Sequence, residues 1–240
     1  MSGQPFALWV YLSERPLTWL ALTLATYALA DRIAAACGRQ PLVNPVLISA
    51  VAIGLVLAAT GTPYATYFDG AQFVHFLLGP ATVALAVPLY QHRAEVRRAL
   101  LPMLAALAAG SLVTLLSVVA VLKAFGVPMS VVASMAPKSV TAAIAMAVSE
   151  GLGGDPALTA VLVILTGIFG AMIAAPLLDR IGMRDARARG VAVGVAAHGI
   201  GTARAFQESP VAGTFAAIAM ALNAIATALL APALFRFLGW

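Results

Sequence analysis

Apolar positions along this chain fall into long unbroken runs, not into alternation. Residues 40–68 carry no charge, and neither do residues 99–122, 156–178 and 211–235, runs of 24, 23 and 25 residues. About 20 residues carry a helix across the hydrocarbon core of a bilayer, so each run predicts a membrane-spanning helix. Two further segments predict spans of nearly the same quality. Residues 16–36 are interrupted near their end by Asp31 and Arg32, and residues 70–91 contain His75. Ten-residue stretches of alternating hydrophobicity, the mark of a membrane β-barrel, are missing. The pattern therefore predicts an all-α polytopic membrane protein, one membrane domain over residues 1–240 with six to eight transmembrane segments. The short apolar block before Glu14 and Arg15 lacks the length and the basic flank of a cleaved signal peptide.

Two segments do not read as plain spans. Residues 127–149 are apolar at both ends but hold Pro137-Lys138 in the middle. Residues 190–210 hold His198, Arg204, Glu208 and four glycines, Gly190, Gly194, Gly199 and Gly201. Both predict re-entrant or broken helices. Loop charges support this by parity. Arg93, Arg97 and Arg98 precede one charge-free run, and Arg180, Arg184, Arg187 and Arg189 follow another. Both clusters belong in the cytoplasm by the positive-inside rule. Two full crossings between them return the chain to one side, whereas three would not, so 127–149 should dip in from outside and leave again. Working backwards places a loop near Asp69 outside and the N-terminus outside. If 190–210 is also re-entrant, it enters from inside. The two segments then approach the bilayer centre from opposite faces, as inverted-repeat transporters arrange theirs.

Composition narrows the class further. Of 240 residues, 62% are hydrophobic and 10% charged, and mean hydropathy is +0.98. Soluble domains carry roughly 25% charge, so a water-soluble enzyme and a disordered chain are both excluded. The net charge of +5 sits in short clusters between apolar runs, which argues for loops and against nucleic acid as a partner. Cys37 is the single cysteine, so an intrachain disulfide is impossible.

Candidate chemistry is confined to the two unusual segments. In Met135-Ala-Pro-Lys-Ser-Val-Thr141, Pro137 marks a place for a broken helix to restart. Free amides at such a start, with Lys138, Ser139 and Thr141, form a cradle for a small carboxylate. The bland alternative is a lysine snorkelling from an interface. After it, Asp155-Pro156 reads as the cap and first turn of a helix, and Glu150 reads as a surface residue. In the second segment, Gly199 and Gly201 permit a tight turn, Thr202 can bind or cap, and His198 is a candidate proton carrier. A neutral histidine bonded to a carbonyl is its equally supported alternative. Arg204 and Glu208 are spaced to pair on a helix. Asn44, ahead of Pro45, is a candidate polar liner. The breaks at Leu78-Gly79-Pro80 and Val87-Pro88 suggest kinks. Three scattered histidines make no zinc site, and neither a cofactor motif nor a nucleophile–base pair is present, so the expectation is a non-enzyme with no cofactor and no metal.

With these strings in hand the chain resembles the LrgB/CidB family of bacterial membrane proteins, whose plastid relatives carry glycolate and glycerate. The resemblance rests on Asn44-Pro-Val-Leu-Ile-Ser49, Leu77-Leu-Gly-Pro-Ala-Thr-Val-Ala-Leu-Ala-Val-Pro-Leu-Tyr90, Pro137-Lys-Ser-Val-Thr141, Ile144-Ala-Met146, Gly153-Gly154, Leu165-Thr-Gly167 and His198-Gly-Ile-Gly-Thr202 with Arg204. The chain departs from the family pattern after Thr141, where Ala142, Ala143 and Ala147 replace a threonine, a proline and a glutamate. The resemblance implies a multi-pass protein of the bacterial inner membrane that transports small organic anions such as glycolate, glycerate, lactate or pyruvate by alternating access; whether the anion travels alone, in exchange or with a proton stays open, with His198 the carrier in the proton-coupled case. It equally implies an alternative, a holin-like or antiholin-like module that regulates cell-wall hydrolases and lysis by oligomerising. The expected partners are the small anion, membrane lipid, a second copy in a homodimer and a small hydrophobic membrane subunit. The expected binding residues are Pro137, Lys138, Ser139, Thr141, His198, Gly199, Gly201, Thr202 and Asn44.

Overall fold

A computed structural model describes residues 15–40, 43–77, 80, 83–84 and 86–239. The described residues form helices and connecting turns, and the chain divides into two compact units, Met1–Ala84 and Leu85–Trp240. An all-α polytopic membrane architecture is what these helices build.

In the first unit, α1 (Pro16–Ala36) packs against α2 (Pro45–Thr60) and α3 (Tyr64–Phe76). Trp19 is fully buried and meets Tyr67 edge to face at 5.9 Å. Gly70 allows that approach, because a Cβ there would collide with the Pro16 carbonyl and Trp19. The charge-free stretch 40–68 is two helices rather than one span. Gly61 adopts φ +63 and Pro63 follows, so α2 stops at Thr60 and α3 begins at Tyr64. Asp69 consequently lies inside α3 and not in a loop. Of the expected span at 70–91, α3 covers the first part and α4 (Ala86–Gln91) the last, and the Leu78-Gly79 break between them lies outside the described residues.

The second unit is built around three helices long and apolar enough to cross a membrane: α5 (Arg93–Ala124), α8 (Pro156–Arg180) and α10 (Pro210–Phe237). Their outward faces are bulky and bare, with Leu101 80%, Phe169 63% and Leu229 70% exposed. Their inward faces are small or polar: Ser111, Thr159, Thr214, Asn223 and Thr227 are buried. That inversion of the soluble pattern suits a lipid surround, where helices associate through small side chains and internal hydrogen bonds.

Two helical hairpins fill the space between these three. The first is α6 (Met129–Met135) and α7 (Ala142–Gly151), joined by a turn. Neither limb has the roughly 20 residues a span requires. The limbs run antiparallel, since Val148 and Leu152 on the second pack with Met129, Val132 and Ala133 on the first. Ser134 accepts from the Asp155 amide at 2.8 Å and Ser149 from the Thr159 hydroxyl at 2.7 Å, tying the hairpin to the start of α8. Asp155 caps α8 through the amides of Ala157 and Leu158.

The second hairpin is α9 (Ala186–Glu208), in which Ala197 (φ −132, ψ 16) and His198 (φ 39, ψ −137) leave helical geometry. The chain reverses there. Arg189 bonds Glu208 at 3.2 Å, although a straight helix would hold them about 28 Å apart. The first limb runs alongside α10, with Gly190 on Ala212 and Gly194 on Ala216, and the second limb runs back, with Phe206 against Gly213. Ser209 then caps α10.

Candidate functional site

The first hairpin enters beside the C-terminal end of α5 and the second beside its N-terminal end. Leu115 and Val119 pack on Val132 and Ala133, whereas Met103 and Leu107 pack on Val191 and Val195. The hairpins are therefore opposed, and their tips meet at mid-height of α8 and α10.

Asn223, fully buried on α10, joins the tips. Its amide nitrogen donates to the Val195 carbonyl at 3.1 Å and to the Ser139 carbonyl at 3.4 Å, while its oxygen accepts from the Ser111 hydroxyl on α5 at 2.6 Å. Both carbonyls are by-products of the helix breaks. In continuous helices Val195 would accept from Gly199 and Ser139 from Ala143, but the chain turns before either bond can form. Irregular backbone at membrane depth must be satisfied within the protein, and one asparagine does this for both interruptions.

The first tip carries Pro137, Lys138, Ser139 and Thr141. Pro137 and Ser139 are buried, and Lys138 and Thr141 are half-buried. The helix restarts at Ala142 and not at Pro137, because Pro137 opens a tight turn in which its carbonyl accepts from Val140. Thr141 occupies the N-cap position with extended geometry (φ −61, ψ 146) but its hydroxyl makes no capping bond. The first intrahelical bond runs from Ala145 to the Thr141 carbonyl, so the three amides of the opening turn, 142–144, stay available. Among the described residues, the Lys138 ammonium and the Ser139 and Thr141 hydroxyls have no hydrogen-bond partner, and Glu150 is exposed and unconnected to Lys138.

The second tip is held differently. His198 is buried, and its Nε2 lies 2.9 Å from the Val163 carbonyl. A carbonyl only accepts, so Nε2 carries the proton. This is the bonding of the bland alternative, a neutral histidine on a backbone carbonyl. A non-glycine residue at φ 39 stores backbone strain, which surrounding packing must hold. Gly167 and Gly170 on α8 make the seat for this turn, since a Cβ at either would strike His198 or Ala197. Gly201 lies against Ala197 and Val193, Gly199 faces open space apart from Met220, and the Thr202 hydroxyl donates to the His198 carbonyl at 2.8 Å. Asn44 belongs to the first unit, where its oxygen caps α2 by accepting from Val46 and Leu47.

At the base of the second hairpin, Arg189 reaches Asp179 at 2.6 Å and Glu208 at 3.2 Å, and Arg204 approaches Glu208 at 3.9 Å, the expected i,i+4 pair. Asp185 caps α9; the Arg187 guanidinium and then the Ala188 and Arg187 amides hold its carboxyl well below the usual range.

Sequence reasoning passed over Asn223 and Ser111 as functional residues. A lone asparagine in a long apolar run, and the Gly190–Gly194 spacing facing it, were the available signals.

Comparison with known proteins places this architecture. The LrgB-like family matches residues 23–237. The chain is 33% identical over 215 residues to the holin-like protein CidB of Staphylococcus epidermidis, covering 90% of this chain and 93% of that one. It is 32% identical over 218 residues to the holin-like protein CidB of Staphylococcus aureus, covering 91% and 95%. It is 38% identical over 196 residues to YwbG of Bacillus subtilis, covering 81% and 87%. No solved structure matches it. By the extent of these matches, the chain belongs to the LrgB-like family of membrane proteins.

Proposed function

We propose that the protein is a multi-pass carrier of the bacterial inner membrane that moves small organic anions, of the size of glycolate, glycerate, lactate or pyruvate, by alternating access. The observation that carries this reading is Lys138, a half-buried ammonium at a hairpin tip with no acidic partner among the described residues, next to an uncapped helix start. A charge at that depth is costly unless a polar cavity or a counter-ion meets it, and a transient carboxylate is such a counter-ion. Lys138 would supply the charge, Ser139 and Thr141 hydroxyl donors, and the opening amides of α7 the helix-start field. Pro137 would shape the turn, and His198, Gly199, Gly201 and Thr202 would approach from the opposed hairpin. Proton coupling, if it operates, would act through the remaining nitrogen of His198. No catalytic step, cofactor or metal belongs to this reading, and its assembly is a homodimer, with a small hydrophobic subunit as an accessory.

The names of the relatives favour a second reading, a holin-like module acting through oligomerisation, and nothing in the comparisons bears on a substrate. Uptake of labelled glycolate, lactate and pyruvate into proteoliposomes holding this chain alone separates the two. Saturable uptake that Lys138→Ala abolishes, in correctly inserted protein, supports the carrier. Uptake unchanged in Lys138→Ala removes Lys138 from the site. Absence of uptake of all three anions, with an ion conductance that grows with protein density, supports the holin-like module.

A further inference from the structure

We propose that the groove between α5 and the first limb of α9 binds one anionic phospholipid of the surrounding bilayer, with an acyl chain along the groove and the phosphate at Arg98. This does not rest on the carrier reading. The cavity measures about 740 Å³, and its lining includes Arg98, Asp185 and Arg187 at one end. Beyond that charged mouth the walls are apolar, and their single further polar side chain, Thr114, has its hydroxyl committed to the Gly110 carbonyl at 2.7 Å. A hydroxylated or multiply charged ligand would find no partners along such walls, whereas an aliphatic chain needs none. The exposed alanines Ala106 and Ala192 keep the groove open.

Dimensions and charge select a lipid. From Arg98 to Thr114 α5 rises about 24 Å, close to the roughly 15 Å of one leaflet's hydrocarbon plus its headgroup layer. At the mouth, the Arg187 fork is already held by Asp185 at 3.1 and 2.6 Å, and Glu95 is engaged by His92 at 3.2 Å. Arg98 is exposed and has no acceptor among the described residues, which leaves one positive charge for one phosphodiester. Basic pockets between helices on the arginine-rich side of a membrane protein are where acidic headgroups bind.

The test is native mass spectrometry of the full chain in nonionic detergent, titrated with phosphatidylglycerol or with phosphatidylcholine of the same chains. The expected result is one retained phosphatidylglycerol, held about tenfold more tightly than phosphatidylcholine, a preference equivalent to one charge-assisted contact. Arg98→Gln should erase that preference while leaving weak binding of both lipids. The groove-filling Ala106→Trp/Ala192→Trp variant should lose both, with its unfolding temperature and elution volume kept. Equal retention of the two lipids by the unmodified chain would overturn the proposal. So would undiminished phosphatidylglycerol on the filled variant, or its displacement by glycolate, which would make the groove a vestibule for small anions.

Discussion

Replacing Asn223 by leucine tests the junction of the two hairpins with little change in side-chain volume. The substitution removes an acceptor from Ser111 at 2.6 Å and donors from Val195 at 3.1 Å and Ser139 at 3.4 Å. Hydrogen bonds between membrane helices average about 0.6 kcal/mol and reach about 1.7 kcal/mol, because the unfolded chain in lipid finds other partners. The three bonds here are unequal. The short Ser111 bond belongs near the upper figure, the Val195 bond near 1 kcal/mol, and the long Ser139 bond near the average, so the expected total before any relief is about 3 kcal/mol. Relief is also unequal. The freed Ser111 hydroxyl can turn to the Leu107 carbonyl one turn back, as Thr114 and Ser134 already do with Gly110 and Ser130. The Val195 and Ser139 carbonyls cannot recover, because the helix breaks have removed their donors. The assay is equilibrium unfolding of the purified protein in detergent for Asn223→Leu, Ser111→Ala and the double variant. Ser111→Ala should cost about 1.5 kcal/mol alone and nearly nothing in the Asn223→Leu background, a coupling that a double-mutant cycle reads directly. A cost below about 0.5 kcal/mol for Asn223→Leu, or additivity of the two changes, would refute the reasoning.

Two further outcomes follow from the same packing. Gly194→Ala drives a Cβ into the Ala216 backbone, which cannot yield as a side-chain tip can, so it should destabilise by at least 1–3 kcal/mol, the usual range of overpacking; Gly54→Ala, which meets open space in α2, should be neutral or slightly stabilising, and equal effects of the two would discount the α9–α10 contact. The Asp185 carboxyl titrates well below its usual range in the folded protein, so its ion pair contributes fully above about pH 4 and is lost as pH falls through the more acidic range. Asp185→Asn keeps a competent cap and removes only the ion pair, so the variant should lose less stability between pH 7 and pH 3 than the parent; both partners are about half exposed, and the difference should stay under about 1 kcal/mol.

The three long spans and the two interrupted segments were legible because hydrophobic length and buried charge are properties of the local sequence. Pro137-Lys138 and the glycine-rich stretch around His198 announce a break wherever the segment sits. What was not legible is the partner each break finds. Asn223 lies 84 residues from Ser139 and 28 from Val195, and only the folded chain brings them together. The restart at Ala142 was missed for a related reason: a proline suits a first helical position, but here its carbonyl closes a turn first. In the first unit an absence of charge does not by itself mark a span. Gly61 and Pro63 end a helix without any charge, and Asp69 sits inside one.

The arrangement of polar groups also bears on how a holin-like conductance would have to work. In the second unit Ser111, Thr159, Thr214, Asn223 and Thr227 are buried between the helices, while the outward faces of α5, α8 and α10 carry Leu101, Phe169 and Leu229. A pore assembled between copies through those faces would be lined by bulky apolar side chains and would exclude water and ions by dewetting. Among the described residues of this unit, a polar route for conduction would run past the tips, where Lys138, Ser139 and Thr141 lie and Asn223 joins the Ser139 carbonyl to that of Val195. If the protein both conducts and transports, the two activities share that route, and Lys138→Glu should invert the charge preference of the conductance in the same protein where it stops anion uptake. Planar-bilayer recordings under a salt gradient measure that preference from the reversal potential. A conductance whose selectivity is identical in the parent and in Lys138→Glu runs elsewhere, and would place the pore outside the hairpin site altogether.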